Sequence, residues 1–235
     1  MSVIGQSEVV HQFSDKIYAN IEALLPLIMQ YKHDQALPEY QSLVKEAQKR
    51  LGITQGKALP VRKLSSVYSI MRIAAIASPT GIYVNESLSN LSNIPYGQKR
   101  CSLYHEVIHE KYHDASMALL VNIIALVVIF RATDYALEPL SKSSLNQCLK
   151  IIISLGGVGY LSKKLIQFVE SRADLEGHYA TDCAICVKEH AQQRNCMFLT
   201  GDHPLQDRGY LSGSELNKIA DDLGDKRCDY HMAAH

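Results

Sequence analysis

A pentad of two histidines and a glutamate, His-Glu-x-x-His at residues 105–109, most constrains what this chain can fold into. In a helix, His105 and His109 lie four residues apart on one face, where both imidazoles reach a single Zn²⁺. Glu106 then lies beside the open coordination position, where a general base is needed. The pentad therefore predicts a helix carrying two zinc ligands and a base. We expect His113, one turn further on, to be an exposed residue of the same helix.

A third ligand must come from elsewhere, because catalytic zinc sites normally use three protein ligands. The metzincin pattern is excluded, since it needs Gly and His where this chain has Tyr112 and Ala115. A later helical stretch offers Glu170, with Asp174 one turn on along the same face. We expect Glu170 to ligate zinc and Asp174 to accept a hydrogen bond from a ligating histidine. The alternatives are a solvated acidic helix face and His178, on the same stripe, as a substitute ligand.

In this order the motifs resemble those of the gluzincin metallopeptidases typified by the HtpX heat-shock protease and the CAAX prenyl proteases. That family shows the pentad, a pair of apolar helices, a Glu-x-x-Ala-Asp helix and a His-Pro near an Arg. The chain has apolar residues over 115–165, Glu170 to Asp174 in the sequence Glu-Ser-Arg-Ala-Asp, and His203-Pro204 followed by Arg208. The resemblance covers roughly residues 40–222.

The resemblance implies a zinc-dependent metalloendopeptidase that binds one Zn²⁺ per chain and hydrolyses a protein or peptide substrate. Its implied metal ligands are His105, His109 and Glu170. Glu106 would take a proton from the attacking water, and His203 or Arg208 would stabilise the oxyanion. His203 is thus a second expected catalytic residue, with Asp174 and Arg208 in supporting positions.

Two segments depart from the family pattern. Ile108 stands where the family usually has a glycine, so we expect different helix packing behind the site. Residues 73–76, Ile-Ala-Ala-Ile, replace the Asn-Ala-Phe-Ala edge strand that pairs with substrate. Replacement of this strand motivates a second hypothesis, a catalytically degenerate zinc scaffold or membrane-associated protein-binding module. A third possibility is metal-dependent hydrolysis of a non-peptide amide or ester.

Composition predicts one domain over residues 1–235, with a helical segment at 1–39, a catalytic core at 40–222 and a tail at 223–235. Lys plus Arg and Asp plus Glu number 24 each, so no net field attracts nucleic acid, and we expect no nucleic-acid partner. The first residues lack the basic start and apolar core of a signal peptide. Together with scattered cysteines, this favours a cytoplasmic location.

One cysteine pair has a spacing of interest, Cys183-x-x-Cys186. Such a pair can hold zinc or carry out redox chemistry. We find no second C-x-x-C and no nearby histidine pair to complete a structural zinc site. We therefore expect two small apolar side chains on a buried helix face.

The apolar periodicity predicts an α+β fold, mostly helical with a small antiparallel sheet. An amphipathic helix is expected over 7–31 and a second over 40–51, ending at Gly52. Residues 58–84 are rich in strand formers, and Ser-Pro-Thr-Gly at 78–81 predicts a hairpin turn between two strands. Helices follow from about residue 96.

The apolar stretch predicts a helical hairpin. Residues 115–130 are nearer 16 than the roughly 20 residues that a helix needs to cross a bilayer. A second apolar helix, over 145–161, would be joined to the first by residues 131–144. The hairpin would either lie buried beside the zinc helix or dip into one membrane leaflet, giving membrane contact through 115–165. We favour burial.

Overall fold

The computed structural model describes residues 38–53, 59–63, 75–78, 80–84, 94–137, 144–199 and 207–233, with isolated helical residues between 12 and 20. Most of these residues are helical and a few form one small sheet, in agreement with the α+β prediction. In chain order the elements are α1 (Pro38–Arg50), β1 (Val61–Lys63), β2 (Ala75–Ser78), β3 (Gly81–Val84), α2 (Tyr96–Lys111), α3 (Asp114–Leu137), α4 (Ser144–Thr181), α5 (Ala184–Leu199), α6 (Gly213–Leu223) and α7 (Asp229–Ala233). Most of the helix predicted over 7–31 lies outside the described residues.

The sheet has the strand order β1-β3-β2. β2 and β3 are antiparallel, with Ser78 opposite Gly81, so the predicted hairpin is confirmed. β1, however, is parallel to β3, with Val61 opposite Ile82. The prediction of an antiparallel sheet is therefore wrong, and the sheet is mixed. Alternating apolar residues identify a strand but do not fix the direction of its partner.

Helix α2 lies at the centre of the globular part, with a hydrophobic cluster on each side. One cluster joins it to α1 and the sheet, and confirms the helix predicted over 40–51. Buried members of this cluster include Leu43, Val44 and Ala47 from α1, Val61 and Ile82 from the sheet, and Tyr104 and Val107 from α2. Arg100 of α2 reinforces the contact, since its guanidinium donates to the Glu46 carboxylate at 2.7 and 2.9 Å.

The second cluster joins α2 to α5, α6 and the C-terminal segment. Its buried residues include Cys101, Val187, Leu216 and Ile219. Leu223 and Cys228 belong to the same cluster. The segment predicted as a tail, 223–235, thus contributes two buried residues to this cluster, whereas most of its other described residues are exposed.

Helix α4 is one continuous helix of 38 residues, which corrects the prediction of a short apolar helix followed by a separate acidic helix. At 1.5 Å per residue it is about 57 Å long. Its C-terminal part packs closely against α2, since a Cβ added at Gly177 would lie 3.0 Å from the backbone nitrogen of His105. The small residue at the contact between these helices is thus Gly177 of α4. On α2, Ile108 is fully buried.

The helical hairpin formed by α3 and the N-terminal part of α4 has exposed apolar side chains, so the expectation that it is buried beside the zinc helix is wrong. Ile124 is 53% exposed and Val127 57%. Helix α3 has 24 residues and extends into the segment expected to connect the two helices, as far as Leu137. Its segment 114–136 is long and apolar enough to cross a membrane. The most apolar 18 consecutive residues of this segment have a mean hydropathy of 2.3, and only 11% of them are buried.

Candidate metal centre

The pentad lies in α2, as the spacing predicts. His105 and Glu106 are buried among the packed helices. The helix ends at Lys111, and His113 follows with a φ of 54° in the left-handed region. His113 is therefore not part of the pentad helix, which corrects the prediction. Its Nδ1 lies 2.6 Å from the Asp15 carboxylate.

Three potential metal ligands converge at the C-terminal end of α2. The Nε2 atoms of His105 and His109 are 3.0 Å apart, and Glu170 Oε2 lies 3.0 Å from the first and 3.5 Å from the second. Ligands at about 2.0–2.1 Å from a tetrahedral zinc are separated by about 3.3 Å. The three atoms thus have the spacing of one face of a zinc tetrahedron. The structure brings together the residues for which sequence predicted this role.

Each imidazole is oriented by a carboxylate behind it. His105 Nδ1 lies 2.8 Å from Asp174 Oδ1, and His109 Nδ1 lies 2.9 Å from Asp114 Oδ2. A carboxylate only accepts, so each Nδ1 carries the proton and donates it. Each Nε2 faces Glu170. In the absence of a metal ion, a protonated Nε2 donates to this carboxylate. When Nε2 carries no proton, its lone pair points to the place where a shared metal ion would bind. A proton on Nδ1 held by a carboxylate is the arrangement that a metal-binding histidine requires.

Asp174 is completely buried and anchors several elements at once. Besides His105, its carboxylate accepts from the guanidinium of Arg194 at 3.3 Å and from the backbone N–H of Leu211 at 2.8 Å. Burial alone would raise its pKa, but the charges of Arg194 and His105 outweigh burial and hold the pKa well below its usual range. Asp174 therefore remains ionised and fixes the ring of His105.

Asp114 was not foreseen from the sequence. It is the first residue of α3, and its second carboxylate oxygen accepts from the guanidinium of Arg172 on α4. It comes within reach of His109 because the chain turns sharply at His113. An acidic residue preferred at the start of a helix was the one available signal.

The electrostatics of the ligands favour positive charge between them. Burial opposes protonation of His105, but the charge of Asp174 and hydrogen bonds to Asp174 and Glu170 raise its pKa to about 10. For His109, burial again opposes protonation, and Asp114 and Glu170 raise the pKa to about 9. Burial would raise the pKa of Glu170, but hydrogen bonds from both histidines hold it well below the usual range. The carboxylate-rich surroundings therefore suit a bound cation.

Glu106 lies on the same helix but makes a different set of contacts. Its pKa is raised by burial, an effect that the charges of His105 and His109 oppose. The backbone N–H of Ala77, in β2, donates a hydrogen bond to its carboxylate. Glu106 thus lies between the three potential metal ligands and β2, which is an edge strand of the described sheet.

Tyr210 is a further residue of the site that sequence reasoning missed. Its ring stacks on His105 with centroids 5.5 Å apart, and its hydroxyl donates to Glu170. Burial and the charge of Glu170 raise the pKa of the phenol well above its usual value, so the hydroxyl keeps its proton. The guanidinium of Arg194 lies over the Tyr210 ring, 4.6 Å from its centroid. A single tyrosine in a loop carries no sequence signal for this position.

Two of the remaining candidates, Arg208 and His178, lie away from the three ligand atoms. His203 lies outside the described residues. Arg208 is exposed and lines a groove with Lys163 and Asp207. The arginine whose guanidinium lies beside Asp174 is instead Arg194. His178 is completely buried, and its Nε2 accepts from His190 Nδ1 at 2.8 Å rather than facing Glu170.

Comparison with known proteins adds no family to this geometry. No family model, no curated protein and no solved structure matches the chain.

Proposed function

We propose that this protein is a membrane-associated zinc metallopeptidase of the gluzincin type, with His105, His109 and Glu170 as its metal ligands. The observation that supports the proposal is the convergence of these three ligand atoms at the spacing of a zinc tetrahedron. The Nδ1–H···carboxylate contacts of both histidines add to it, because ligating histidines almost always have such partners. Three protein ligands leave a fourth position open for chemistry.

Zinc in such a site supplies a Lewis acid that acidifies water and polarises a carbonyl group. Glu106 is the general base: it takes a proton from water as the water oxygen bonds to the scissile carbonyl carbon. Glu106 then gives that proton to the leaving nitrogen as the C–N bond breaks. The raised pKa of Glu106 suits both steps, since a carboxyl with a raised pKa is both a stronger base and able to return the proton.

Tyr210 takes the position of oxyanion donor in this proposal. Its hydroxyl is protonated and lies beside Glu170, whereas the exposed Arg208 lies in a separate groove. A hydroxyl placed at the metal site can stabilise negative charge that develops on the carbonyl oxygen. This replaces the role expected of Arg208 and leaves His203 as a second candidate.

The substrate would lie along β2. A cleft beside the metal ligands is lined by Ala77 and Ser78 of β2 together with His109 and Glu110. β2 is an edge strand of the described sheet, and extended peptides bind by adding a strand to such edges. A peptide substrate in this cleft would pass directly over His109.

The exposed hairpin is the proposed membrane-binding element. Two pairs of polar side chains within it satisfy each other: Ser162 donates to Asn122 at 2.6 Å, and Lys150 pairs with Asp134 at 2.5 Å. Polar groups in a bilayer need such partners, because no water is there to replace them. Since α3 begins at the ligand-orienting Asp114, the metal site would lie close to the membrane surface.

The proposal is tested by measuring peptide hydrolysis with purified full-length protein and its Glu106→Gln variant. We expect the wild type to cleave a casein or peptide-library substrate, and a chelator to abolish cleavage. Glu106→Gln should lose about 10²- to 10⁴-fold in rate while keeping its zinc, because it removes a proton-transfer group and not a ligand.

Glu176→Gln is the matched control. Glu176 lies on α4 and accepts from the Tyr112 hydroxyl, away from the ligand atoms, and its variant should cleave at the wild-type rate. Tight zinc binding without turnover on any peptide would instead support the zinc-scaffold alternative. Zinc-dependent turnover of esters or small amides alone would support the non-peptide hydrolase.

A further inference from the structure

A Cys-Cys pair and a Cys-His pair, from segments far apart in the chain, meet at the start of α5. Cys183 precedes this helix and Cys186 lies in its first turn, whereas Cys228 and His231 come from the C-terminal segment. One potential ligand atom from each of the four residues lies within 4.8 Å of all the others. The group therefore has the composition and size of a four-ligand metal site, Cys₃His.

The sulfur geometry fits a shared metal ion and not a disulfide. Cys186 Sγ and Cys228 Sγ are 3.7 Å apart, whereas bonded sulfurs are separated by about 2.05 Å. Two thiolates at about 2.3 Å from a tetrahedral zinc are about 3.7–3.8 Å apart. All three cysteines of the group are free and buried. The distance between the sulfurs of Cys186 and Cys228 is thus that of two zinc ligands, and the remaining ligand atoms lie within 4.8 Å of them.

The two halves of the group have the same local backbone geometry. In each half the first cysteine is followed three residues later by the second ligand, as C-x-x-C at 183–186 and C-x-x-H at 228–231. The backbone N–H of Cys186 donates to Cys183 Sγ, and that of His231 donates to Cys228 Sγ. Hydrogen bonds from backbone N–H groups stabilise thiolates, which are the form that binds metal.

His231 supplies one ring nitrogen to the group, and its Nε2 is buried. Its side chain is 12% exposed, and its Nε2 has no hydrogen-bond partner among the described residues, the nearest carboxylate being Glu189 Oε1 at 3.9 Å. A buried polar atom left unsatisfied is unfavourable by roughly 1–3 kcal/mol. The ring is held in place by edge contacts with Tyr96 and Tyr230. Its orientation is thus fixed next to the three sulfurs.

A nearby cluster, Cys101 with His178 and His190, shows what a satisfied group looks like. His178 Nδ1 donates to the Asp174 carbonyl, and its Nε2 accepts from His190. His190 Nε2 in turn accepts from Arg194 Nε at 3.4 Å. Every ring nitrogen has a role in a hydrogen-bonded chain that leads to the metal centre. This cluster needs no ion, in contrast to the Cys₃His group.

We propose that Cys183, Cys186, Cys228 and His231 form a second, structural zinc site, independent of the catalytic centre. Four protein ligands leave no open position, so the ion would be structural. It would fasten the C-terminal segment to the start of α5. The start of α2 packs there as well, because a Cβ at Gly97 would lie 2.4 Å from Cys186 Cα. The site would thereby support the helix that carries the pentad.

The test is the zinc content of the purified full-length protein, measured by mass spectrometry for the wild type and four variants. We expect about two zinc ions per chain in the wild type and about one in Cys186→Ser. His105→Ala combined with His109→Ala should also leave about one, and the combination of all three substitutions should leave none. Cys148→Ser, at an exposed cysteine of α4, is the matched control and should keep both ions.

A cysteine variant that does not fold is covered by two further measurements. His231→Cys conserves a ligand and should retain the second zinc, whereas His231→Ala should lose it. In the wild type, an organomercurial that titrates thiols should release one zinc ion, detected with a chromogenic chelator. A wild type whose zinc is unaffected by thiol titration and by Cys186→Ser would overturn the proposal. So would a disulfide between Cys183 and Cys186 in zinc-free, native protein.

Discussion

The two ends of α4 follow opposite rules of burial. In its N-terminal half, Ile152 and Leu155 are 66% and 61% exposed, whereas in its C-terminal half Asp174 and His178 are completely buried. Water-soluble helices normally bury apolar residues and expose charged ones. One continuous helix thus belongs both to the packed globular part and to an exposed apolar hairpin. In the globular part it supplies a polar network, and in the hairpin it presents an apolar surface suited to lipid.

The largest difference in stability is expected between a charge placed at a buried apolar site and a charge placed at an exposed apolar site. Ala47→Asp places an unpaired charge in the core between α1 and the sheet, and should destabilise the globular part by about 4 kcal/mol or more. Val127→Asp should leave the globular part folded, because Val127 is exposed. In a bilayer it should instead oppose insertion by about 2.5–3.5 kcal/mol.

Limited proteolysis and membrane flotation distinguish the two effects. Ala47→Asp should become protease-sensitive throughout, whereas Val127→Asp should shift from the membrane fraction without losing its protease-resistant part. If Val127→Asp unfolded the protein as completely as Ala47→Asp, the hairpin would belong to the core.

Removal of a ligand from the buried end of α4 should have the next largest effect. Glu170→Ala should weaken zinc binding by more than 100-fold, since it removes a direct ligand and leaves two. Competition with a chelator of known affinity measures the change. His178→Ala is the comparison, because its ring faces His190 and not the ligands. Loss of zinc in His178→Ala but not in Glu170→Ala would show that the ligand assignment is wrong.

Substitution of the carboxylates behind the histidines should have a smaller effect. Asp114→Asn and Asp174→Asn keep the shape of the side chain but weaken the hold on His109 and His105. Each should reduce zinc affinity by about 10- to 100-fold. Asp174→Asn should also lower the unfolding temperature more than Asp114→Asn, because Asp174 accepts from both Arg194 and Leu211 besides His105, whereas Asp114 accepts from Arg172 besides His109. Equal unfolding temperatures in the two variants would contradict the anchoring role of Asp174.

The smallest expected effect lies within the hairpin. Ser162→Ala removes the donor to Asn122, a contact that in membrane helices contributes about 0.6 kcal/mol on average. The unfolding free energy in detergent or bicelles measures it, with the exposed Ser214 on α6 as a control site for Ser→Ala. An effect of several kcal/mol at Ser162 would mean that this hydrogen bond is a central element of the hairpin and not a minor contact.

Local patterns in the sequence carried the predictions that the structure agrees with. The pentad spacing places two imidazoles on one face of any helix, and the spacing of Glu170 and Asp174 does the same on α4. The turn at 78–81 and the end of α1 near Gly52 were also predicted, because both depend on nearby residues. These features follow from backbone geometry, which a short stretch of chain determines by itself.

Features that depend on contacts between distant segments were decided only by the tertiary structure. Asp114 meets His109 because of a turn in the left-handed region, and Tyr210 meets His105 through a loop, without any periodic signal. Exposure of the hairpin depends on whether another element covers it, which hydropathy cannot tell. The C-x-x-C at 183–186 predicted only two buried thiols, since its partners Cys228 and His231 are a mixed pair from the far end of the chain. The sequence thus determined which residues share a helix face, and the packing of the helices determined which faces meet.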